Sequence, residues 1–460
     1  MGSDRHTFVL NMARKRILII GAGRSSSALI QYLDGLAESN TWTIHVADRS
    51  LKTAQERCGS TEHCRAMEMD ALDPDVRASI LPEYDIVVSM LPARFHTEVV
   101  ADCVNHGIHV ITPSYVTEDI QALDAAAKEA GVIILNEMGL DPGIDHMSAM
   151  RIIHDIQGRG GELLSFKSFT GGLVAPESDN NPWHYKFTWN PRNVVLAGQG
   201  GAVQFIRNGK YKYIPYHRLF SRVEPIEIEG HGAFEGYANR DSLKYREVYG
   251  LKNIPTIYRG TLRKQGYSEA WNVFVQLGMT DDTYQVEDSE RMTYRQFINS
   301  FLRYEDDIPV EDKLAEYLNL PRESEIFQKL DWLGIFEDKA IGIPMASPAQ
   351  ILQHLLESKW SLEPGDRDMI AMYHEFEYGL DGEEHIITSH MVSIGLDEEL
   401  TGMARTVGLP IGIAVKHILS GNWKMSGVLL PTSAEIYDPI LDELASMGIR
   451  FVERETVQNR

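Results

Sequence analysis

The run Lys15–Ile20 is an apolar strand that passes straight into Gly21-Ala22-Gly23-Arg24-Ser25-Ser26, after which Ala28, Leu29, Ile30, Leu33 and Leu36 recur at helical spacing. That succession restricts the fold more than any other feature of the chain. A strand, a glycine turn and a helix in sequence make the first βα unit of a parallel sheet with helices on both faces. Gly21 allows the tight turn, Gly23 admits a ligand to the backbone, and the helix start aims free N–H groups at an anion. Ser26 stands where a third glycine is usual and is small enough for close helix–sheet packing. A second strand, Thr43–Ala47, ends at Asp48, 27 residues beyond Gly21. An acid at that place accepts ribose hydroxyls and favours NAD, because it would repel a 2′-phosphate. Its neighbour Arg49, followed by Ser50, is the group that would hold the 2′-phosphate of NADP. The expected cofactor is NAD or NADP, with NAD favoured.

The alternation continues. Asp85–Pro92 reads as a strand ending in a proline loop, with Leu91 and Pro92 on the ribose and nicotinamide side. His109–Thr112 and Val132–Leu135 read as further strands, separated by helices at about 94–106 and 117–130. This pattern predicts a doubly wound parallel sheet. Beyond it come two polar, glycine-rich stretches, Asn136–Met147 and Phe169–Trp189, whose Gly, Pro, Asn and Asp content fixes backbone shape where function tends to sit. A helix is expected over about 147–157, capped by Asp145 or Asp141, and strand runs then predominate to about Arg263. The segment from Ser268 to Trp332 turns helical and acidic. Asp368–Phe376 and His385–Ser393 read as paired strands; helices follow at Glu398–Val407, Ile411–Ser420 and Ala434–Met447.

A chain of 460 residues with 43% hydrophobic content implies two or three domains. The expected fold class is α/β: a Rossmann doubly wound domain over 1–140, completed by C-terminal helices at about 395–450. A second α/β sheet domain covers 141–267 and about 345–394, with a helical insert over 268–344. A net charge of −22 argues against nucleic acid and means that an anionic substrate needs local arginines. No apolar run reaches the roughly 18 residues of a membrane span, so no membrane partner is expected. The stretch from Met1 to Arg16 lacks the apolar core of a secretory signal. Three cysteines, Cys58, Cys64 and Cys103, show no CxxC spacing, which argues against a disulfide scaffold or a metal site and fits a reducing cytoplasm.

VVSMLPARFH, TPSYVT, NEMGLDPGIDHM, GGLVAPESDNNPWHYKFTW, NRDS and RGTLR together resemble the saccharopine reductase family, the glutamate-forming saccharopine dehydrogenases. MARTVGLPIGIAVKHIL and PILDELASMGIRFVE extend the likeness to the C-terminus. The resemblance implies a homodimer of Rossmann, sheet and helical parts. It also implies an oxidoreductase of lysine metabolism that converts saccharopine, water and oxidised cofactor to glutamate and aminoadipate semialdehyde. Against the dinucleotide it sets Arg24, Ser25, Asp70, Leu140, Pro142 and Trp189; against the amino-acid substrate, Ser114, Tyr115, Thr261 and Leu262. The family often carries cysteine where Thr170 stands.

Saccharopine is a secondary amine with three carboxylates, so the protein must grip anions, present one carbon to the ring and manage protons. Arg240 and Arg263 are the expected carboxylate clamps, since guanidinium forks match carboxylates bidentately. Tyr115 and Asp141 are the candidates for proton handling, with Thr170 as a hydrogen-bonding neighbour. Trp189 and Lys186 are expected to wall the site. His146, His96 and His109 read as structural. Two rivals remain: a carboxynorspermidine-type dehydrogenase, which calls for acids in place of one arginine, and a non-catalytic NAD(P)-sensing module, which has no need of the clamps.

Overall fold

The computed structural model describes residues 14–197 and 201–458, so the N-terminal stretch up to Ala13 lies outside the described residues. Strands β1 (Lys15–Ile20), β2 (Trp42–Asp48), β3 (Cys64–Glu68), β4 (Ile86–Ser89), β5 (His109–Ile111) and β6 (Ile133–Leu135) alternate with helices. Then follow β7 (Glu162–Val174), β8 (Val203–Arg207), β9 (Lys210–Ile214), β10 (Glu224–Ile228), β11 (Gly232–Ala238) and β12 (Thr256–Lys264). After a helical stretch come β13 (Asp368–Leu380), β14 (Glu383–Ile394), β15 (Gly427–Leu429) and β16 (Val452–Gln458). The chain divides into two compact units, residues 1–148 with 404–447, and residues 149–403 with 448–460.

The first unit holds a parallel sheet in the order β15-β6-β5-β4-β1-β2-β3. The run Ile17–Ile20 is apolar at every position because both faces of the sheet are covered, and all four side chains are buried. The order reverses between β1 and β4, the place where doubly wound sheets bind ligands outside their strand ends. The expected helix over 117–130 is two short ones, Glu118–Gln121 and Asp124–Glu129. The two helices expected at Glu398–Val407 and Ile411–Ser420 are one, Gly402–Leu419, which runs through Pro410. Burial outweighs the local break: Ile411, Ile413, Ala414 and Val415 are all fully buried. Cys58 and Cys64 form a disulfide, against the sequence expectation. The helix Leu51–Cys58 ends where β3 begins, and only the fold reveals that the two Cα atoms come within 5.4 Å.

The second unit is built on a mixed sheet in the order β10-β11-β12-β7-β13-β14-β16, with β8 paired to β12 and β9. The helical segment shares one hydrophobic core with this sheet. Trp183, Trp271, Phe274 and Trp360 join Phe169, Leu262 and Met369 in it, so amphipathic helices such as Tyr267–Leu277 bury their apolar side against strands. No helix among the described residues is long and apolar enough to cross a membrane.

Candidate active site

In the first unit, the expected dinucleotide residues gather at the C-terminal ends of the parallel strands. Gly21 follows β1 with φ +107°, and a Cβ there would meet the Met90 carbonyl oxygen at 2.9 Å. Glycine is therefore required by conformation and by space. Gly23 is exposed, with nothing within 4 Å of where a Cβ would sit, so the turn leaves room for a pyrophosphate to approach the backbone. Ser26 is buried and its hydroxyl donates to Gly23 O at 2.7 Å, which satisfies it in the third glycine's place. Arg24 is exposed and Ser25 half-buried beside it. These features fit a dinucleotide.

Asp48 closes the turn from β2. One carboxylate oxygen accepts Ala22 N–H at 3.0 Å and the other accepts Ser50 N–H at 3.0 Å. Arg49 beside it is exposed. Asp70 follows β3, is exposed, and accepts the Leu72 N–H at 3.0 Å. Leu91 is half-buried and Pro92 exposed after β4.

Beyond β5, the half-buried Tyr115 donates its hydroxyl to Asp141 Oδ1 at 3.1 Å, so the two expected proton-handling groups are brought together. The loop carrying Ser114 and Tyr115 is held on both sides. Val116 N–H donates to Glu137 Oε1 at 3.0 Å, while the other oxygen of Glu137 lies 2.7 Å from His146 Nε2. His146 is thus a buried structural partner, and Glu137 is a support that sequence reasoning missed. Its signal is a left-handed φ of +59°, invisible in the letters. Leu140 and Pro142 are buried. Gly143 packs so tightly that a Cβ would lie 2.0 Å from the Gly139 carbonyl oxygen. Gly143→Ala is expected to cost about 2–4 kcal/mol of stability in denaturant unfolding; a loss under about 0.5 kcal/mol would contradict this packing.

His96 also supports the loop. It is 1% exposed, with Ser89 Oγ 2.8 Å from Nδ1 and Ser114 Oγ 2.7 Å from Nε2. Burial pushes its pKa down from 6.5 to about 4. The folded value is depressed, so the stability His96 contributes is full above about pH 6.5 and is lost as pH falls towards 4. Between pH 7 and 4.5 this amounts to about 2–3 kcal/mol. Urea unfolding of wild type and His96→Gln at the two pH values should show that extra loss in wild type alone. Equal losses would contradict it.

In the second unit, Thr170 on β7 sits in register with Thr261 on β12 and Met372 on β13. Its buried hydroxyl has no hydrogen-bond partner among the described residues. Gly171 lets β7 approach β12, since a Cβ would meet Leu262 O at 2.6 Å. Leu262 is fully buried and Thr261 half-buried. Trp189 is 42% exposed, whereas Lys186 is buried in an ion pair with Asp366 at 2.6 Å, which commits that ammonium to a carboxylate within the unit.

Arg263 is 6% exposed and enclosed by tyrosines, its guanidinium carbon 4.9 Å from the Tyr185 ring centre, 5.3 Å from Tyr267 and 5.9 Å from Tyr237. Its Nη1 donates to Leu262 O at 2.8 Å, Nε has no partner, and no carboxylate among the described residues pairs with it. Arg240 is exposed, with φ +39°, just beyond the end of β11. The pairing of Glu235 with Arg263 and Ala238 with Gly260 sets the two arginines about five strand positions apart, on the order of 16 Å. They do not form one bidentate clamp; each end of the β11–β12 pair carries one cation.

Residues 17–135 match the family model described as the saccharopine dehydrogenase NADP binding domain, and residues 139–449 match the saccharopine dehydrogenase C-terminal domain. The chain belongs to the saccharopine dehydrogenase family. It is 34% identical to the saccharopine dehydrogenase [NADP(+), L-glutamate-forming] of Schizosaccharomyces pombe, over 95% of this chain and 98% of that one. It is 33% identical to the Saccharomyces cerevisiae protein of the same name, over 96% and 99%. The mitochondrial alpha-aminoadipic semialdehyde synthase of Rattus norvegicus is 32% identical over 99% of this chain, which spans 49% of that protein. The solved apo saccharopine dehydrogenase (L-Glu forming) from Saccharomyces cerevisiae superposes with a TM-score of 0.87 at 32% identity, covering 96% of this chain and all of that one. A nicotinamide dinucleotide is accordingly the cofactor class of this saccharopine dehydrogenase family member.

Proposed function

We propose that the chain interconverts saccharopine, water and oxidised nicotinamide dinucleotide with L-glutamate, L-2-aminoadipate 6-semialdehyde, reduced dinucleotide and a proton. The observation that carries this reading is Arg263, a buried guanidinium with no carboxylate partner among the described residues. An unpaired buried charge is costly, so the site is complementary to an anion that the protein does not itself supply. Saccharopine brings three carboxylates. A polyamine precursor calls for acids at such a place, and a sensing module for neither.

The bound dinucleotide supplies the hydride acceptor. Tyr115 and Asp141 manage the proton of the substrate's secondary amine: the phenol oxygen takes it while the phenol's own proton is held at Asp141 Oδ1. Loss of hydride from the carbon beside nitrogen leaves an imine. Water adds to that carbon, and rupture of its bond to nitrogen releases glutamate and the aldehyde. Thr170, with its unengaged hydroxyl, is a hydrogen-bond donor available to substrate or water. The test is absorbance of reduced nicotinamide with saccharopine at alkaline pH; folded protein that binds dinucleotide yet reduces none would refute the reading.

NAD is the favoured cofactor, because the carboxylate of Asp48 ends β2 where a 2′-phosphate would come closest to it. NADP is the second reading, supported by the exposed Arg49 and by the names of the fungal relatives. Asp48→Ala should shift the NAD over NADP preference by about tenfold or more towards NADP, the effect of removing one charge repulsion. An unchanged ratio of kcat/KM values would assign Asp48 to holding the turn alone.

A further inference from the structure

Inside the glycine turn, the carbonyl oxygen of Ala22 accepts the Nε–H of Arg57 at 3.4 Å. Arg57 lies 35 positions further along the chain, in the last turn of the helix Leu51–Cys58. Helical side chains lean back towards the start of their helix, so a long one in the last turn reaches for the strand end from which the helix springs. That strand is β2, closed by Asp48, whose Oδ2 accepts the Ala22 N–H at 3.0 Å. Ala22 is thus held at its N–H by an acid and at its carbonyl by a guanidinium. The backbone that carries Arg57 is itself anchored. Cys58, the next residue, is bonded to Cys64 at the start of β3, and the Gly59 N–H donates to Gln55 O at 3.1 Å.

The charge of Arg57 is not matched within the protein. Its Nε–H goes to a neutral carbonyl, and no carboxylate among the described residues pairs with the guanidinium. The nearby acids are committed elsewhere. Both oxygens of Asp48 accept backbone N–H groups, from Ala22 and Ser50, and Glu56 lies 3.8 Å from Lys52. Arg57 is half-buried, whereas Arg24 and Arg49 around the same turn are exposed, so its charge is the least screened of the three. A cation of this kind, beside a turn whose Gly23 leaves the backbone open, is complementary to an anion. The anions that a nicotinamide dinucleotide carries are phosphates: the pyrophosphate in either cofactor and the 2′-phosphate in NADP. With Nε engaged by Ala22, the two terminal amino groups of Arg57 remain to donate to phosphate oxygens.

We infer that Arg57 is a dinucleotide-binding residue, which holds a phosphate of the cofactor beside the glycine turn. No fingerprint marks it, because the glycine motif ends at Ser26 and the acid of the second strand is Asp48. The inference rests on the cofactor class alone; it needs neither saccharopine as the substrate nor a preference between NAD and NADP.

Isothermal titration of the substrate-free protein with NAD and with NADP tests it. Arg57→Gln removes the charge but sets an amide nitrogen in the place of Nε, so the bond to Ala22 O is kept. It should raise the dissociation constant about tenfold, the worth of one hydrogen bond to a charged group, and Arg57→Met should do the same. The loss should narrow at high salt, where the wild-type contact is screened. An equal loss for both dinucleotides assigns the pyrophosphate, and a loss for NADP alone assigns the 2′-phosphate; either upholds the role. Wild-type affinity for both dinucleotides in Arg57→Gln would overturn it, since Arg57 would then do no more than hold Ala22. A loss that stays constant with salt would overturn it too, as the mark of a displaced turn. No saccharopine enters the titration, so failure here and failure of the saccharopine reading are seen separately.

Discussion

Arg263→Met is expected to lower kcat/KM for saccharopine by about 10²–10³-fold, the cost of removing one member of a desolvated charge pair. The same change should move the stability of the unliganded protein by less than about 2 kcal/mol. Two terms oppose each other there. Three tyrosine rings lie within 5.9 Å of the guanidinium and stabilise it by cation–π attraction. Against that, a buried charge without a counter-ion is destabilising, and an apolar side chain of similar length removes the penalty. A purely structural arginine would show the reverse pattern, with stability lost and activity falling only in proportion to folded protein. Arg263→Lys keeps the charge and loses the fork, so it should fall between the two. Wild-type kcat/KM in folded Arg263→Met would remove the central support of the functional reading.

Tyr115→Phe and Asp141→Asn are each expected to reduce kcat by about 10²–10³-fold with smaller changes in KM, since proton transfer in the transition state is worth that much. The 3.1 Å bond from the Tyr115 hydroxyl to Asp141 Oδ1 makes the two groups one device. Their losses should therefore overlap: the double variant should be little slower than the slower single one. A solvent isotope effect on kcat should shrink in both variants if the hydride step is exposed. Additive losses in the double variant would assign the groups separate tasks, and unchanged kcat in either would strike it from the mechanism. Glu137 offers a control, because its carboxylate holds the loop at Val116.

Legibility differed between the two units for a physical reason. The dinucleotide half is written in local chemistry. An apolar run, a glycine turn and a helix stripe occupy consecutive residues, and strand ends in a parallel sheet share one edge, so Gly21, Asp48 and Leu91 could be gathered from the sequence, while Tyr115 came from the family resemblance. The partners of His96 were illegible because they come from two different strand ends, and no spacing announces which strands are neighbours. The substrate half depends on antiparallel register. Arg240 and Arg263 read as carboxylate clamps, and only the β11–β12 pairing sets how far apart they stand. Lys186 read as a wall of the site and is committed to Asp366, 180 positions away.

Hydrophobic periodicity, turn residues and charge act over a few neighbouring positions, and those by themselves determined β1, β2, β4, β5 and β6 of the first sheet, its glycine turn and the acid that closes it, but not β3 or β15. Which distant segments bury one another is settled by competition for a common core. That competition alone decided that Cys58 meets Cys64, that one helix runs through Pro410, and that Arg263 is buried among tyrosines without a counter-charge.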